Sequence, residues 1–430
     1  MSGHSSGRSG AAVGAQLSAM MFLQFFVWGA WYVTVGNFMT ANGMGDGVAW
    51  AYSVAPIAAI ISPFFLGMVA DRFFATERVL GVLHLLGGLI LLAAPMVAQG
   101  GAAAQTTFIV VLLLYALCYM PTLGLTNTLA FHNVTDQERQ FPMIRVFGTI
   151  GWIAANIVVS KLLKGDTTAV QFYVAGGASL VLGLYSFVLP HTPPPAAGRA
   201  VTARDVLGLD SLALMRSPAF SIFIVSSFLI CIPLAAYYSF APIYVGTGFA
   251  DPAFNMSFGQ MSEIFFMLVM PLCFARLGVK YMLVVGMLAW VLRYGLFAAA
   301  APTFGMSSAG LTPAHWMVLG GIVLHGICYD FFFVTGQIYV DKRAPAAIRG
   351  QAQGFLVLVT QGLGMLIGAQ LTGKIKEAYT QGDVVNWQSL WMIAAIAAGV
   401  VMVAFFALFR DDSKAAEPVP PAGTAPVGAE

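Results

Sequence analysis

The stretch HTPPPAAGRAVTARDVLGLDSLALMRSP, residues 191–218, decides the fold because it is a long polar segment between apolar runs. A membrane-spanning helix needs about 20 consecutive apolar residues. Six runs of that kind precede this segment and six follow it. The sequence therefore predicts an all-α membrane protein with twelve transmembrane helices, arranged as two six-helix bundles.

The composition supports a membrane protein over a soluble one. The chain has 430 residues, of which 59% are hydrophobic and 9% are charged. A soluble domain usually carries about 25% charged residues, so an aqueous fold would lack the polar side chains to cover its surface. The net charge of +2 indicates no nucleic-acid partner. We expect the lipid bilayer to solvate the apolar surface of this chain.

The apolar runs and the segments between them predict the domain organisation. We expect a disordered N-terminus over 1–15, an N-terminal bundle over 16–190, a central loop over 191–218, a C-terminal bundle over 219–410 and a disordered tail over 411–430. The predicted spans are 16–41, 47–70, 77–98, 104–131, 141–164, 169–190, 219–247, 256–276, 280–300, 314–341, 347–375 and 387–410.

The distribution of Lys and Arg predicts the orientation. With the N-terminus in the cytoplasm, 14 of these residues fall on the cytoplasmic side, four fall on the opposite side, and two lie within spans. Cytoplasmic loops of membrane proteins carry an excess of positive charge. The bias therefore predicts that both termini and the central loop are cytoplasmic, which requires an even number of spans.

Four charged residues lie well inside apolar spans: Arg145, Glu263, Arg293 and Asp330. Each costs at least about 2.5–3.5 kcal/mol at the centre of a bilayer on an insertion scale. Charges in such places usually face a cavity, pair with one another or belong to a path for substrate or ions. These four are the first candidates for a functional site.

Glu263 and Gln260 are three residues apart and share one face of a helix. A carboxylate beside an amide offers acceptors and donors to a polar ligand, and the carboxyl group can exchange a proton. The alternative is a purely structural Glu263, paired permanently with Arg293 or Arg145.

Asp330 is the second candidate proton carrier. Its alternative is a role in helix packing, with its carboxylate bonded to neighbouring hydroxyl groups. His325 and Tyr329, four residues apart, can line the same cavity. A single histidine in such a span is also compatible with simple packing.

Arg145, Thr149 and Trp152 form one stripe, spaced i, i+4 and i+7. A guanidinium, a hydroxyl and an aromatic face suit a ligand that has hydroxyl groups and a flat ring. Arg145 lies only a few residues inside its span, so it can alternatively extend to the cytoplasm. Arg293 is better explained as a residue that holds helices together or reaches an interface.

Gly67, Asp71 and Arg72 end the second predicted span. Glycine permits close helix packing, and the two charges can pair at a cytoplasmic helix end, so we predict a gating element. The four cysteines lie in apolar runs without metal-ligand spacing, which favours packing over a metal site or a disulfide.

The chain resembles the bacterial nucleoside:proton symporter family, a branch of the major facilitator superfamily. The matching segments occur in family order in both halves: FLQFFVWGAW (22–31), GMVADRFF (67–74), YMPTLGLTNTL (119–129), FPMIRVFGTIGW (141–152), LGLD (207–210), QMSE (260–263), AWVLRYGLF (289–297), YDFFFVTGQIYVDK (329–342) and NWQSLW (386–391).

The resemblance implies that the chain imports a nucleoside with a proton by alternating access, in the bacterial inner membrane. The corresponding positions imply a substrate site and assign proton coupling to two of its members, and His325 stands where the family has a tyrosine. The site residues are Arg145, Thr149, Trp152, Tyr238, Gln260, Glu263, His325, Tyr329 and Asp330, with proton coupling at Glu263 and Asp330.

The seventh span departs from the family pattern. Ala235 and Tyr238 stand where well-known members have amides that bond the base. A tyrosine can stack on a base and offer one hydroxyl, but it cannot reproduce a bidentate amide. The alternative cargo is therefore another hydroxylated solute, such as a sugar or glycoside.

Other functional classes find little support in the sequence. HExxH and GxSxG motifs are missing, which argues against an intramembrane enzyme. A layout of six and six spans with charges near the midplane suits a carrier better than a channel or receptor. We expect no metal and no cofactor, and we expect a functional monomer.

Overall fold

The computed structural model describes residues 10–65, 73–194, 209–306, 310–345 and 348–411. Fifteen α-helices occupy most of these residues, and a two-stranded antiparallel hairpin joins the last two. The elements are α1 (Gly10–Tyr32), α2 (Val35–Ala41), α3 (Val48–Phe65), α4 (Thr76–Ala98), α5 (Gln105–Asn133), α6 (Gln137–Asn156), α7 (Val170–Ser186), α8 (Pro218–Gly246), α9 (Pro252–Ala300), α10 (Pro313–Val323), α11 (His325–Cys328), α12 (Thr335–Arg343), α13 (Arg349–Val357), α14 (Met365–Ala378), β1 (Thr380–Gln381), β2 (Val384–Val385) and α15 (Trp387–Leu408).

Shorter turns of two kinds connect or extend these helices. Three are 3₁₀ turns: Gly45–Gly47, Gly101–Ala104 and Leu209–Arg216. Three are π-helical: Ile157–Leu162 extends α6, Tyr329–Val334 joins α11 to α12, and Leu358–Gly364 joins α13 to α14. The π-helical turns break the regular register of three long spans, which the apolar pattern alone did not predict.

Capping side chains explain where several helices begin. The Asp136 carboxylate accepts a hydrogen bond from the backbone N–H of Arg139 at 3.0 Å, and this starts α6. Asn386 caps α15 in the same way. Ser217 precedes Pro218 at the start of α8, where the missing N–H of proline leaves no helical bond unmade.

Nine stretches of the described residues are long and apolar enough to cross a membrane. They are Gly10–Ala41, Thr76–Ala98, Gly101–Asn133, Arg139–Leu162, Pro218–Gly246, Pro252–Ala300, Pro313–Arg343, Arg349–Ala378 and Trp387–Leu408. Val170–Ser186 is a shorter apolar helix. Large apolar side chains such as Leu268 (76% exposed) and Met96 (70% exposed) cover the outside of the bundle, as expected where lipid is the solvent.

The helix Pro252–Ala300 is too long for one crossing. Its 49 residues would extend about 74 Å at 1.5 Å per residue, whereas the apolar core of a bilayer is about 30 Å thick. Gly278 breaks it with a φ of 66°, a left-handed conformation that side chains with a Cβ adopt at a cost. The break separates the predicted spans 256–276 and 280–300.

The ends of the chain differ from the prediction in one respect. Helix α1 begins at Gly10, before the expected boundary at 16, because Ala11, Ala12 and Val13 continue the apolar run and alanine strongly favours the helix. Residues 1–9, 195–208 and 412–430, which hold most of the predicted disordered ends and central loop, lie outside the described residues.

The helices pack in two groups that meet along the middle of the molecule. In the first, α1 packs against α6 and α7, and α4 against α5 and α7. In the second, α9 packs against α10 and α15, and α8 against α14. The groups meet where α14 contacts α3, α8 contacts α2, and α9 contacts α6. The end of the bundle where α1 begins is called the inner end below, and the opposite end the outer end.

Candidate substrate site

A cavity of about 120 Å³ lies between the two groups of helices. Eight of the nine predicted substrate residues line it, and they come from α6, α8, α9 and the α10–α12 segment. The lining consists of Phe25, Trp28, Tyr32, Arg145, Thr149, Trp152, Tyr238, Gln260, Glu263, His325, Tyr329, Gln361 and Met365. Asp330 is the predicted residue that is not in this lining.

Aromatic rings form much of the cavity wall. The ring centroids of Trp28 and Trp152 are 5.5 Å apart, edge to face, and those of Trp28 and Tyr32 are 5.4 Å apart. Tyr32 continues the cluster to Tyr238 at 6.1 Å, and so connects the two groups of helices. Such a wall provides faces on which a flat ring can stack.

Arg145 and Thr149 provide polar atoms on the α6 side of the cavity. The Arg145 guanidinium lies 4.1 Å from the centroid of the Phe25 ring, and the side chain is half-buried. It therefore points at α1 and lines the cavity rather than extending to the inner surface, as the alternative interpretation would require. Thr149 is buried one turn further along.

Gln260 and Glu263 face the same cavity from α9. The buried Oε1 of Gln260 accepts no hydrogen bond within the described part of the chain. Within those same residues Glu263 forms no ion pair, because the guanidinium of Arg145 lies on Phe25 and that of Arg293 on Tyr237. A permanent partner for Glu263 is thus not found, and its carboxyl group is available to a ligand.

The helix that carries the other candidate acid is irregular where it passes the cavity. It breaks at Leu324, restarts at His325, and becomes π-helical from Tyr329. Within the described residues neither carboxylate oxygen of the fully buried Asp330 accepts a hydrogen bond, so the neighbouring hydroxyls of the packing interpretation do not hold it. π-Helical turns are frequent at functional sites, and this one sets Asp330 beside the lining residue Tyr329.

The two unusual residues of α8 have different environments. Tyr238 lines the cavity. Ala235 is fully buried against α14, where a Cβ built on Gly368 would lie 2.7 Å from the Cβ of Ala235. A larger side chain at 235 would have to displace α14, so Tyr238 alone represents this stretch in the cavity wall.

A buried polar network supports the cavity from behind Trp28. His84 Nε2 lies 2.8 Å from Oε1 of Gln24, whose Nε2 donates to Oγ1 of Thr122 at 2.7 Å. Tyr119 donates to the carbonyl of Gln24 at 2.6 Å, and its ring contacts Trp28 with centroids 5.6 Å apart. These bonds tie α1, α4 and α5 together at the level of the site.

Polar contacts between the two groups of helices occur at the outer end. Asp251 accepts from Nζ of Lys161 at 3.0 Å and from Nζ of Lys164 at 2.6 Å. Asn37 donates to the carbonyl of Pro242, and Gln370 donates to Ser53. These contacts close the outer end over the cavity.

The carboxyl groups at this closure have opposite pKa shifts. Burial by itself would raise the pKa of Asp251, but the hydrogen bonds from Lys164 and Lys161 outweigh it and lower the pKa. Burial raises the pKa of Asp166, and a hydrogen bond from Ser160 offsets this only in part. Asp251 is the carboxylate that forms the two ion pairs of the closure, and its lowered pKa is the consequence of them.

A second cavity, of about 470 Å³, opens at the outer end between α3 and α14. Its lining includes Trp50 and the oppositely charged side chains of Asp46, Glu377 and Lys374 in a solvent-facing cleft. None of the predicted substrate residues lines it. We therefore place the candidate site in the smaller central cavity.

The sequence did not single out five of the lining residues. Phe25, Trp28 and Tyr32 lie in α1, and Gln361 and Met365 lie at the α13–α14 junction. The i, i+3, i+7 spacing of the three α1 aromatics was the available signal, since Arg145, Thr149 and Trp152 are spaced in a comparable way. Gln361 lies in a π-helical turn, so regular helical spacing could not have placed it.

Some predictions concern residues that the structure does not describe. The predicted gating element Gly67, Asp71 and Arg72 lies outside the described residues. Among the residues that are described, no group of three metal-ligating side chains could hold an ion, and the four cysteines are free.

The fold and the cavity define a class of protein, a helical membrane carrier with the major facilitator fold. A crystal structure of a D-xylose–proton symporter superposes with a TM-score of 0.70 at 12% identity over 93% of this chain and 98% of that chain, which shows the shared fold. A crystal structure of nucleoside transporter NupG superposes with a TM-score of 0.81 at 32% identity, over 92% of this chain and 98% of that chain.

The sequence pattern of the family described as Nucleoside H+ symporter matches residues 11–414. The chain is 41% identical to YegT of Escherichia coli, a protein provisionally named as a nucleoside transporter, over 92% of this chain and 94% of that protein. It is 33% identical to nucleoside permease NupG of Escherichia coli over 92% of this chain and 95% of that permease. The chain belongs to the nucleoside H+ symporter family, and it is a transporter rather than an enzyme.

Proposed function

We propose that this chain takes up nucleosides together with protons by alternating access, with the central cavity as the binding site. The observation that carries the proposal is the cavity itself. Both groups of helices line it, and it combines stacking faces with an arginine, an amide and a carboxyl group. A nucleoside needs both kinds of contact, since it joins a flat base to a ribose with hydroxyl groups.

Different side chains of the cavity wall are suited to the base and to the ribose of a nucleoside. Trp152 and Tyr238 offer ring faces for the base, and stacking of a base on an aromatic side chain contributes about 1–3 kcal/mol. Arg145, Thr149 and Gln260 offer hydrogen bonds to hydroxyl groups. His325 and Tyr329 extend the polar wall on the α10–α12 side.

Glu263 and Asp330 are the proposed proton carriers. An acid inside a membrane protein commonly marks a proton path. In the described residues Glu263 forms no ion pair, and neither carboxylate oxygen of Asp330 has a hydrogen-bond partner. Glu263 lines the cavity, and Asp330 follows the lining residue Tyr329. A proton on these groups removes buried negative charge, which favours movement of the loaded carrier through the closed states.

In the proposed topology, twelve spans cross the bacterial inner membrane and both termini lie in the cytoplasm. Among the described residues, nine apolar stretches are long enough to cross, and the break at Gly278 divides one of them into two. Helices α3 and α7 supply the remaining two. The excess of Lys and Arg at the inner end then faces the cytoplasm. With this orientation, the structure is closed toward the outside. We also propose that the carrier functions as a monomer.

Uptake into proteoliposomes tests the proposal. Purified protein is reconstituted, a proton gradient is imposed, and accumulation of labelled uridine and adenosine is measured with unlabelled nucleosides or sugars as competitors. We expect saturable uptake that a protonophore abolishes and that nucleosides, but not sugars, compete away. Uptake that sugars or glycosides inhibit better than nucleosides would contradict the proposed cargo, and uptake unaffected by the gradient would contradict proton coupling.

A further inference from the structure

Three side chains form a stack that runs from the interior of the C-terminal helices to the wall of the central cavity. The Arg293 guanidinium lies 4.1 Å from the centroid of the Tyr237 ring. The Tyr237 ring is stacked on His325, with centroids 5.6 Å apart and planes 16° from parallel. His325 is the member that lines the cavity, whereas Arg293 is fully buried in α9.

Arg293 is attached to the protein by one edge only. Its Nε donates to the carbonyl of Gly321 at 3.0 Å, which ties α9 to α10. Its Nη1 and Nη2, the hydroxyl of Tyr237 and Nδ1 of His325 have no hydrogen-bond partner within the described residues. If this guanidinium served only to hold helices together, we would expect more of its five N–H groups to donate hydrogen bonds to backbone carbonyls.

The flat face of the Arg293 guanidinium contacts the ring of Tyr237, whereas its outer nitrogens form no hydrogen bond within the described residues. Arginine binds aromatic faces through the attraction between its charge and the ring electrons, and this attraction strengthens in a dry interior. Tyr237 is fixed from the other directions by packing, since Phe297 lies nearly parallel to it at 6.4 Å. The plane of Tyr237 in turn limits the planes available to His325.

His325 needs such support because its own helix is irregular. It is the first residue after the break at Leu324, and a π-helical turn begins four residues later. Local backbone bonds therefore restrain the imidazole less than they would in a regular helix. An unrestrained ring would lose conformational freedom on binding a ligand, and this loss weakens affinity.

We propose that Arg293 is a positioning residue for substrate binding, which acts through Tyr237 to hold the His325 ring in the plane that presents its polar edge to the nucleoside. This inference rests on the proposed function, because it assumes that the central cavity holds the substrate. It assigns no contact between Arg293 and the substrate. It also requires the ring of Tyr237 but not its hydroxyl group.

A double-mutant cycle tests the inference through ligand affinity. The Kd for uridine and adenosine is measured by calorimetry on purified R293Q, Tyr237→Leu, Tyr237→Phe and H325A proteins, and on the pairs that combine H325A with R293Q or Tyr237→Leu. We expect R293Q and Tyr237→Leu each to raise the Kd about tenfold, and to raise it less than about twofold further in the H325A background. Tyr237→Phe is expected to leave the Kd unchanged.

Lys280 supplies the matched control. It also contacts an aromatic ring from α9, with its Nζ 5.0 Å from the centroid of Phe406, but far from the cavity. K280Q should leave the Kd and transport KM unchanged. If R293Q does not fold, the Tyr237→Leu arm of the cycle answers the same question.

The outcomes separate this inference from the proposed function. An effect of R293Q and Tyr237→Leu that is the same with and without His325 would overturn the inference, as would a lower thermal stability with an unchanged Kd. Both results would leave nucleoside transport in place. Failure of the unmodified protein to bind or transport any nucleoside would overturn the proposed function and the inference with it.

Discussion

At the scale of single residues, two acids lie in or next to the wall of the central cavity, in different environments. Glu263 lies in the cavity wall near a half-buried arginine, whereas Asp330 is fully buried and lacks a partner in the described residues. Neither is held by a permanent ion pair, so each can bind and release a proton as the carrier moves. Two interacting acids titrate as a pair, so replacing one changes the behaviour of the other.

Replacing the acids should separate substrate binding from proton coupling. We expect Asp330→Asn or Glu263→Gln to abolish nucleoside accumulation driven by a proton gradient, because an amide cannot carry the proton. Exchange of labelled for unlabelled nucleoside at equal pH needs no net proton movement. It should therefore continue in whichever of the two variants has lost the proton carrier but still binds the nucleoside. Both activities are measured in proteoliposomes.

The exposed Asp383, in the turn between β1 and β2, gives the control for this experiment. Asp383→Asn removes the same charge outside the cavity and should leave accumulation unchanged. Normal gradient-driven accumulation in both Asp330→Asn and Glu263→Gln would contradict the assignment of the proton carriers.

At the scale of the helices, the site depends on how α1 is held. The network of His84, Gln24 and Thr122 joins α4, α1 and α5, and Ser179 brings in α7 through a 3.0 Å contact with Nδ1 of His84. Polar groups without partners are costly in a bilayer, so each member depends on the others. Trp28 and Tyr32, which line the cavity, lie on the same helix as Gln24.

Removing His84 should therefore destabilise the fold more than it changes the substrate contacts. We expect His84→Ala to lower the free energy of unfolding by about 1–3 kcal/mol, because the side-chain oxygen of Gln24 loses its partner and the hydroxyl of Ser179 loses one of its two. Thermal unfolding in detergent measures the change. His132→Ala, which replaces an exposed histidine at the end of α5, should have no effect. Equal unfolding temperatures for the two variants would contradict this role of the network.

At the scale of the whole molecule, polar contacts between described residues join the two groups of helices at the outer end. The ion pairs of Asp251 with Lys161 and Lys164 cross between the groups, beside the bonds from Asn37 to Pro242 and from Gln370 to Ser53. Transport by alternating access requires these contacts to break in each cycle. Their strength therefore sets the balance between the outward-closed and outward-open states.

Weakening the closure should open the outer end more often. Ile243 lies against Gly36 at this interface, so Ile243→Cys in a background with the four native cysteines replaced by alanine reports opening to a membrane-impermeant maleimide. We expect Asp251→Asn to raise the labelling rate at least about threefold, because two ion pairs are lost and the equilibrium shifts. Equal labelling in Asp251→Asn and in the control Asp383→Asn would contradict the closure.

The pKa shift of Asp251 adds a pH test to the same experiment. Because its pKa is lowered, its carboxylate stays charged to a lower pH than an ordinary aspartate does. The ion pairs are therefore lost only as the pH falls through the lowered pKa. The thiolate is the form of cysteine that reacts, so the labelling rate at each pH is divided by the rate of Asp251→Asn at the same pH. This ratio should be constant between about pH 6 and pH 8. A marked rise of the ratio over this interval would show that another group controls the closure.

Much of the architecture could be predicted because a bilayer leaves few choices. Apolar runs of span length must become helices, since every backbone N–H needs an internal partner. The predicted spans therefore agree closely with the helices of the structure, as 77–98 does with Thr76–Ala98 and 219–247 with Pro218–Gly246. The charges at Arg145 and Glu263 could be singled out for the same reason, because a charge in an apolar run is costly.

The sequence by itself determined the membrane fold, the family and most of the polar residues of the cavity, because these follow from composition, periodicity and motif. Only the tertiary structure decided what stands next to what. It placed Phe25, Trp28 and Tyr32 in the cavity wall and buried Ala235 against α14. It also stacked Arg293 on Tyr237, and Tyr237 on His325. Helical spacing describes one helix at a time, whereas these contacts depend on how separate helices and their π-helical turns pack together.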